Sequence, residues 1–124
     1  MAITSHRDLK VWQDAMSFVE DCYRLVITFP KDELFGLTTQ IKRAAVSVPA
    51  NIAEGYGRGM TGSYLQFLKI ARGSLCELET HLLLVARLGL ADRDRIEVLL
   101  TKRDSLGRML HSSIQNVENS RGNQ

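Results

Sequence analysis

The chain has 124 residues, 44% hydrophobic and 24% charged, with a formal net charge of +2. That is enough for one domain with its own core, and the composition excludes a disordered, collagen-like or disulfide-framework protein. No apolar run approaches about 18 residues and Met1 to Lys10 is polar, so the expectations are no membrane span, no signal peptide and a cytoplasmic location.

The first helical segment is expected from about Asp8 to Phe29. Trp12, Ala15, Val19, Cys22, Val26 and Phe29 recur at spacings of three and four, which places them on one face. Leu9, Met16, Phe18, Tyr23 and Leu25 widen it. Pro30 lacks an N–H and disfavours helix before it, so it should stop the segment.

The second segment is expected from about Asp32–Phe35 to Tyr56, with Leu34, Leu37, Ile41, Ala44, Ala45, Val48 and Ile52 in its stripe. Pro49 falls inside a periodicity that continues past it, which predicts a helix kinked near Pro49. Gly55, Gly57 and Gly59 should end the helix and form the turn.

The third segment opens with Ser63-Tyr-Leu-Gln66, which reads as a capping box, with Thr61 as an alternative cap. Tyr64, Phe67, Leu68, Ala71, Leu75, Leu78, Leu82 and Val85 carry its stripe, Gly73 suggests a close crossing, and Gly89 reads as the stop. The fourth segment should begin at Asp92 as cap and run to about Val117. Ile96, Leu99, Leu100, Leu106, Leu110 and Ile114 mark its face, Gly107 is a second interior glycine, and a fraying polar tail covers 118–124.

Four such helices with short connections predict an all-α fold: an up-down-up-down antiparallel four-helix bundle, one domain over 1–124 with its ordered core over about 8–117. The apolar stripes exceed what a bundle seam needs. Trp12, Phe18, Tyr23 and Phe29 on the first helix and surplus leucines on the third therefore predict a homo-oligomer.

Gln40, Arg43, Ser47, Asn51 and Glu54 fall on one edge of the second helix, and Glu77 and Glu79 lie on the third. Two readings are open: a hydrogen-bonded structural cluster that fixes register, or a carboxylate–arginine ligand site. Glu77 and His81 are four apart and can interact. Among His6, His81 and His111 none has glutamate three residues before it, so the di-iron bundle pattern is missing and neither metal nor cofactor is expected. No nucleophile elbow or P-loop appears, so the expectation is a non-enzyme without a small-molecule substrate. The remaining enzymatic reading would use Glu54, Glu77 or Glu79. Cys22 and Cys76 are expected as reduced thiols in or near the core.

From Leu37 to Cys76 the chain carries Lys42, Arg43, Arg58, Lys69 and Arg72 against Glu54 alone, a local +4. These five are candidate nucleic-acid-binding residues, for RNA or DNA, against the alternative of a solvated face. Gly55-Tyr-Gly-Arg-Gly59 is either a helix-ending turn or a loop presenting Arg58 to an anion.

Gly36-Leu-Thr-Thr-Gln-Ile-Lys-Arg-Ala-Ala-Val-Ser-Val-Pro-Ala-Asn-Ile-Ala-Glu-Gly55 and Phe67-Leu-Lys-Ile-Ala-Arg-Gly-Ser-Leu-Cys-Glu-Leu-Glu-Thr80 carry a family resemblance, with Leu9-Lys-Val-Trp12 and Phe29-Pro30 in support. The chain resembles the four-helix-bundle proteins encoded in intervening sequences of bacterial 23S ribosomal RNA genes, also labelled S23 ribosomal proteins. The motif falls on Gln40, Arg43, Ser47, Pro49, Asn51, Glu54, Gly55, Gly73, Ser74, Glu77 and Glu79. The resemblance implies an up-down bundle and a ring-shaped pentamer, and it defines no catalytic residue. Related bundles are accessory subunits of diversity-generating reverse transcriptases, an analogy for RNA association.

Overall fold

The computed structural model describes residues 2–122. They form α1 (Lys10–Val26), α2 (Thr39–Gly57), α3 (Thr61–Arg87) and α4 (Arg93–Gly122), with no strand among the described residues. Each helix packs antiparallel on its neighbours in chain order. The α2/α3 pairing is the most extensive and the α1/α4 closure the least. Ile41, Ile52, Leu78 and Leu99 are all buried, as the periodicity requires.

A 3₁₀ turn at His6–Asp8 precedes α1, where Ser5 and Asp8 form the chain's capping box. The Thr4 backbone N–H, donating to Asp8, is the main reason that carboxyl lies below its ordinary range. The buried line on α1 is Val11, Ala15, Phe18, Cys22 and Leu25. It is rotated from the expected stripe, so Trp12 and Val19 become its half-buried flanks. The reason is that α1 has neighbours on two sides, α2 and α4, and its core line lies between them. Phe18 and Phe29 therefore belong to the chain's own core, and of the four aromatics expected to be surplus only Tyr23 is exposed.

The second helix begins later than expected. Lys31–Glu33 is a 3₁₀ turn, and Leu34–Thr38 is a wide π turn broken at Gly36. Thr39 Oγ1 donates to the Leu34 carbonyl and closes this turn. Leu34 consequently leaves the core stripe and, with Phe35, faces outward. From Thr39 the helix runs unbroken through Pro49, which is buried.

The glycines play different parts from those read in the sequence. Gly55 is buried inside α2, and a Cβ there would lie 2.6 Å from the Phe67 Cβ. It is the close-approach glycine; Gly73, exposed with nothing within 4 Å, is not. Gly59, at φ 72°, makes the turn. Met60 is extended after it, so α3 starts at Thr61 and no side chain caps it. Ser63 then already lies inside the first turn, and the expected Ser63–Gln66 capping box is absent.

Gly89, at φ 70°, ends α3 in a Schellman motif: its N–H donates to the Ala86 carbonyl at 3.2 Å and Leu90 N–H to Val85 at 3.1 Å. In α4 the polar stretch read as a tail continues the helix to Gly122, and Glu118 pairs with Lys69 of α3 at 3.5 Å. Residues 123 and 124 of that tail lie outside the described residues. No helix among the described residues is long and apolar enough to cross a membrane.

Candidate functional site

Gly55 lets α2 approach α3 closely, and a polar ladder runs along that seam. Ser47 and Ser74 share a hydrogen bond at 2.8 Å between their hydroxyls. Asn51 Nδ2 donates to Ser47 twice, to its carbonyl at 2.7 Å and its hydroxyl at 2.9 Å. One turn nearer the start of α2, Arg43 donates to Gln40 at 2.6 Å and to Glu77 at 3.1 Å. The same Glu77 oxygen lies 3.0 Å from His81 Nε2. His81 Nδ1 is buried without a partner.

The seven residues read as one polar cluster thus divide. Gln40, Arg43 and Glu77 form one group, and Ser47 and Asn51 form another with Ser74. Glu54 bonds Arg58 at 3.0 Å one turn on, on α2 itself. Glu79 faces the opposite side of α3 and meets Arg103 of α4 at 3.1 Å. Glu54, Glu77 and Glu79 are each held by a different cation and do not converge.

The five cations also separate. Lys42 sits 5.0 Å over the Tyr23 ring on the α1/α2 side. Arg43 belongs to the α2/α3 seam. Arg58 covers the Phe67 ring at 4.8 Å while pairing with Glu54, so it is held against the helix rather than presented by the glycine turn. Lys69 and Arg72 lie on the α3/α4 side, Lys69 paired with Glu118.

Arg103 did not stand out in the sequence, although a signal was there. It lies four residues after Leu99 and three before Leu106, so a guanidinium occupies a core-facing register. Its side chain is only 14% exposed, bonds the Leu75 carbonyl at 3.1 Å and pairs with Glu79 and Asp104. It staples α3 to α4. Beside it an open groove of about 610 Å³ is lined by Arg72, Cys76, Gly107, Arg108 and His111 among others. The two cysteines differ: Cys76 is exposed here, whereas Cys22 is buried and its thiol is pushed up to about 12, chiefly by burial. No group of three or more His, Cys, Asp or Glu side chains with metal-holding geometry occurs among the described residues.

Among the apolar side chains left exposed outside the seams, beside Phe35, Met60, Leu83 and Val98, two groups fall in helical lines. Ile70, Leu84 and Leu88 of α3 share the helical register of Glu77 and His81, and Val46 of α2 is also exposed. Met16, Tyr23 and Ile27 line a separate strip on α1.

Comparison with known proteins gives matches of two kinds. The family model described as 23S rRNA-intervening sequence protein matches residues 7–112. A crystal structure of a protein with unknown function from the S23 ribosomal protein family, from Bacteroides thetaiotaomicron, is 23% identical. It covers 84% of this chain and 97% of that one at a TM-score of 0.75, a likeness of fold. No curated protein matches the chain.

Proposed function

This chain belongs to the 23S rRNA-intervening sequence protein family, and we propose that it is a non-catalytic interaction protein that works as a homo-oligomer, with the outer α2/α3 surface as its assembly face. The observation that carries this reading is the uncovered strip on that surface. Ile70 is 44% exposed, Leu84 40% and Leu88 62%, at spacings that put all three on one line with Glu77 and His81. Apolar positions interleaved with satisfied polar groups are the usual make-up of a subunit interface. The second strip, on α1, is a different surface. Two unlike strips suit a head-to-tail contact, which closes into a ring, better than a self-paired dimer. A ring of five subunits is the form we favour. The dispersal of Glu54, Glu77 and Glu79 supports a role without catalysis, and an intracellular, RNA-associated adaptor is the setting we propose.

Native mass spectrometry of the full chain tests this. Species at multiples of the 13.9 kDa subunit mass support it. A single 13.9 kDa species at micromolar concentration overturns it.

A second reading, direct binding of nucleic acid, draws support from Arg72. Among the described residues no acid lies within ion-pair distance of it, and it lines an open groove.

A further inference from the structure

We propose that the α3/α4 groove is a docking site for the phosphodiester backbone of a single-stranded nucleic acid, with Arg72 and Arg108 as its phosphate contacts. The inference rests on the nucleic-acid reading and is independent of assembly.

Three observations converge on the groove. First, Arg72 of α3 and Arg108 of α4 line the same open groove of about 610 Å³. Among the described residues neither has an acid within ion-pair distance. Lys69 and Arg103, on the same α3/α4 side, are by contrast each paired with an acid. The forks of Arg72 and Arg108 are free to meet an oxyanion in the two-bond arrangement that guanidinium offers a phosphate.

Second, the third arginine of the groove is fixed. Arg103 is held by the Leu75 carbonyl, Glu79 and Asp104. Asp104 also lines the groove; Arg103, paired with it and with Glu79, offsets part of their negative charge and leaves Arg72 and Arg108 to carry the positive face. His111 and Ser112 add donors on the same wall, and Gly107, without a side chain, leaves the floor open between them.

Third, the groove has no apolar anchor. None of the large exposed hydrophobic side chains lines it, and Leu75 beneath it is fully buried. A protein partner would be expected to use such an anchor, whereas a polynucleotide backbone needs only charge, donors and an open track. From residue 103 to 112 the α4 wall is about 14 Å long at about 1.5 Å per residue.

The experiment is a salt titration of a short fluorescent oligouridylate against the full chain, wild type, Arg72→Ala/Arg108→Ala and Arg95→Ala. Arg95 is an exposed cation nearer the start of α4, about 20 Å from Arg108 along the helix, so its removal changes net charge without touching the groove. The expected result is binding by the wild type and a loss of roughly tenfold or more in the double variant. The slope of log affinity against log salt should shrink by about 1.4, about 0.7 for each lost single-strand phosphate contact. Arg95→Ala should bind within about twofold of wild type, since one distant cation is largely screened. Arg72→Gln/Arg108→Gln, which keeps the side-chain stems, should reproduce the loss, and unchanged circular dichroism shows that the bundle persists.

No retention of the oligonucleotide by wild type at low salt overturns the nucleic-acid reading itself. Equal binding by wild type and the double variant overturns the groove alone. An equal loss in Arg95→Ala also overturns it, because the effect is then one of overall charge. Displacement of the oligonucleotide by polyglutamate at equal charge concentration overturns the ligand class in favour of an acidic protein.

Discussion

Gly55 of α2 sits so close beneath Phe67 of α3 that a methyl group on it would come within 2.6 Å of the Phe67 Cβ. Alanine in a helix interior is ordinarily better than glycine by about 1 kcal/mol. At Gly55 the collision is with an atom fixed to the α3 backbone, so the helices themselves must part, at a cost of about 1–3 kcal/mol. Collision exceeds propensity, and Gly55→Ala should lower the melting temperature. Gly73→Ala, with open space around the new methyl, should raise stability by about 0.5–1 kcal/mol. Thermal unfolding of the two variants beside wild type checks both signs.

The Ser47–Ser74 hydroxyl pair joins the same two helices through a bond of 2.8 Å. It should appear in a double-mutant cycle with Ser47→Ala and Ser74→Ala. The expected coupling is about 0.5–1.5 kcal/mol, the usual net worth of a partly buried neutral hydrogen bond. Asn51 keeps its bond to the Ser47 carbonyl in Ser47→Ala, because that acceptor belongs to the backbone. Ser47→Ala and Asn51→Ala each remove two hydrogen bonds, so the two single variants should cost similar amounts.

The two thiols should separate in reactivity and in their effect on pH dependence. With an alkylating reagent at neutral pH, the folded chain should react at Cys76 alone and the denatured chain at both. Burial raises the Cys22 thiol from 9.0 to about 12. Above the ordinary value the unfolded chain has lost this proton while the folded chain retains it. Stability should thus be unaffected by Cys22 below pH 9.0 and should fall between pH 9.0 and about 12. Cys22→Ala should flatten that part of the denaturant-midpoint profile.

Much of the fold was legible because apolar spacing is a strong signal over helices this long. The four helices, their order and the buried set around Ile41, Ile52, Leu78 and Leu99 follow from it. Gly89 was legible as a stop, since its position after a full apolar stripe leaves little else for it to do. What was not legible depended on neighbours. The α1 stripe is turned because two helices flank it, and Gly55 looked like a helix end because the nearness of Phe67 is a tertiary fact. Caps were misplaced where the backbone, not the side chain, decided the boundary, as at Met60.

The candidate site was legible in composition and not in partnership. The residue types of the α2/α3 ladder were visible, but spacing along one helix cannot show which side of the next helix answers. Glu79 was grouped with Glu77 although residues two apart point to opposite sides, one to α2 and the other to α4. The local +4 of the chain's middle was real as a count but spread over separate faces once folded. Arg108 lies outside that segment and gains meaning only from Arg72 across the groove.

The central claim is that the outer α2/α3 surface joins one copy of this chain to the next. Sedimentation equilibrium of wild type and of Ile70→Glu/Leu84→Glu tests it most directly, because both side chains are already exposed in the single chain and their replacement leaves its core intact. The predicted result is an oligomeric mass for wild type and 13.9 kDa for the variant, with helical content unchanged. A variant that sediments at the same oligomeric mass as wild type, or a wild type that is monomeric, would contradict the account.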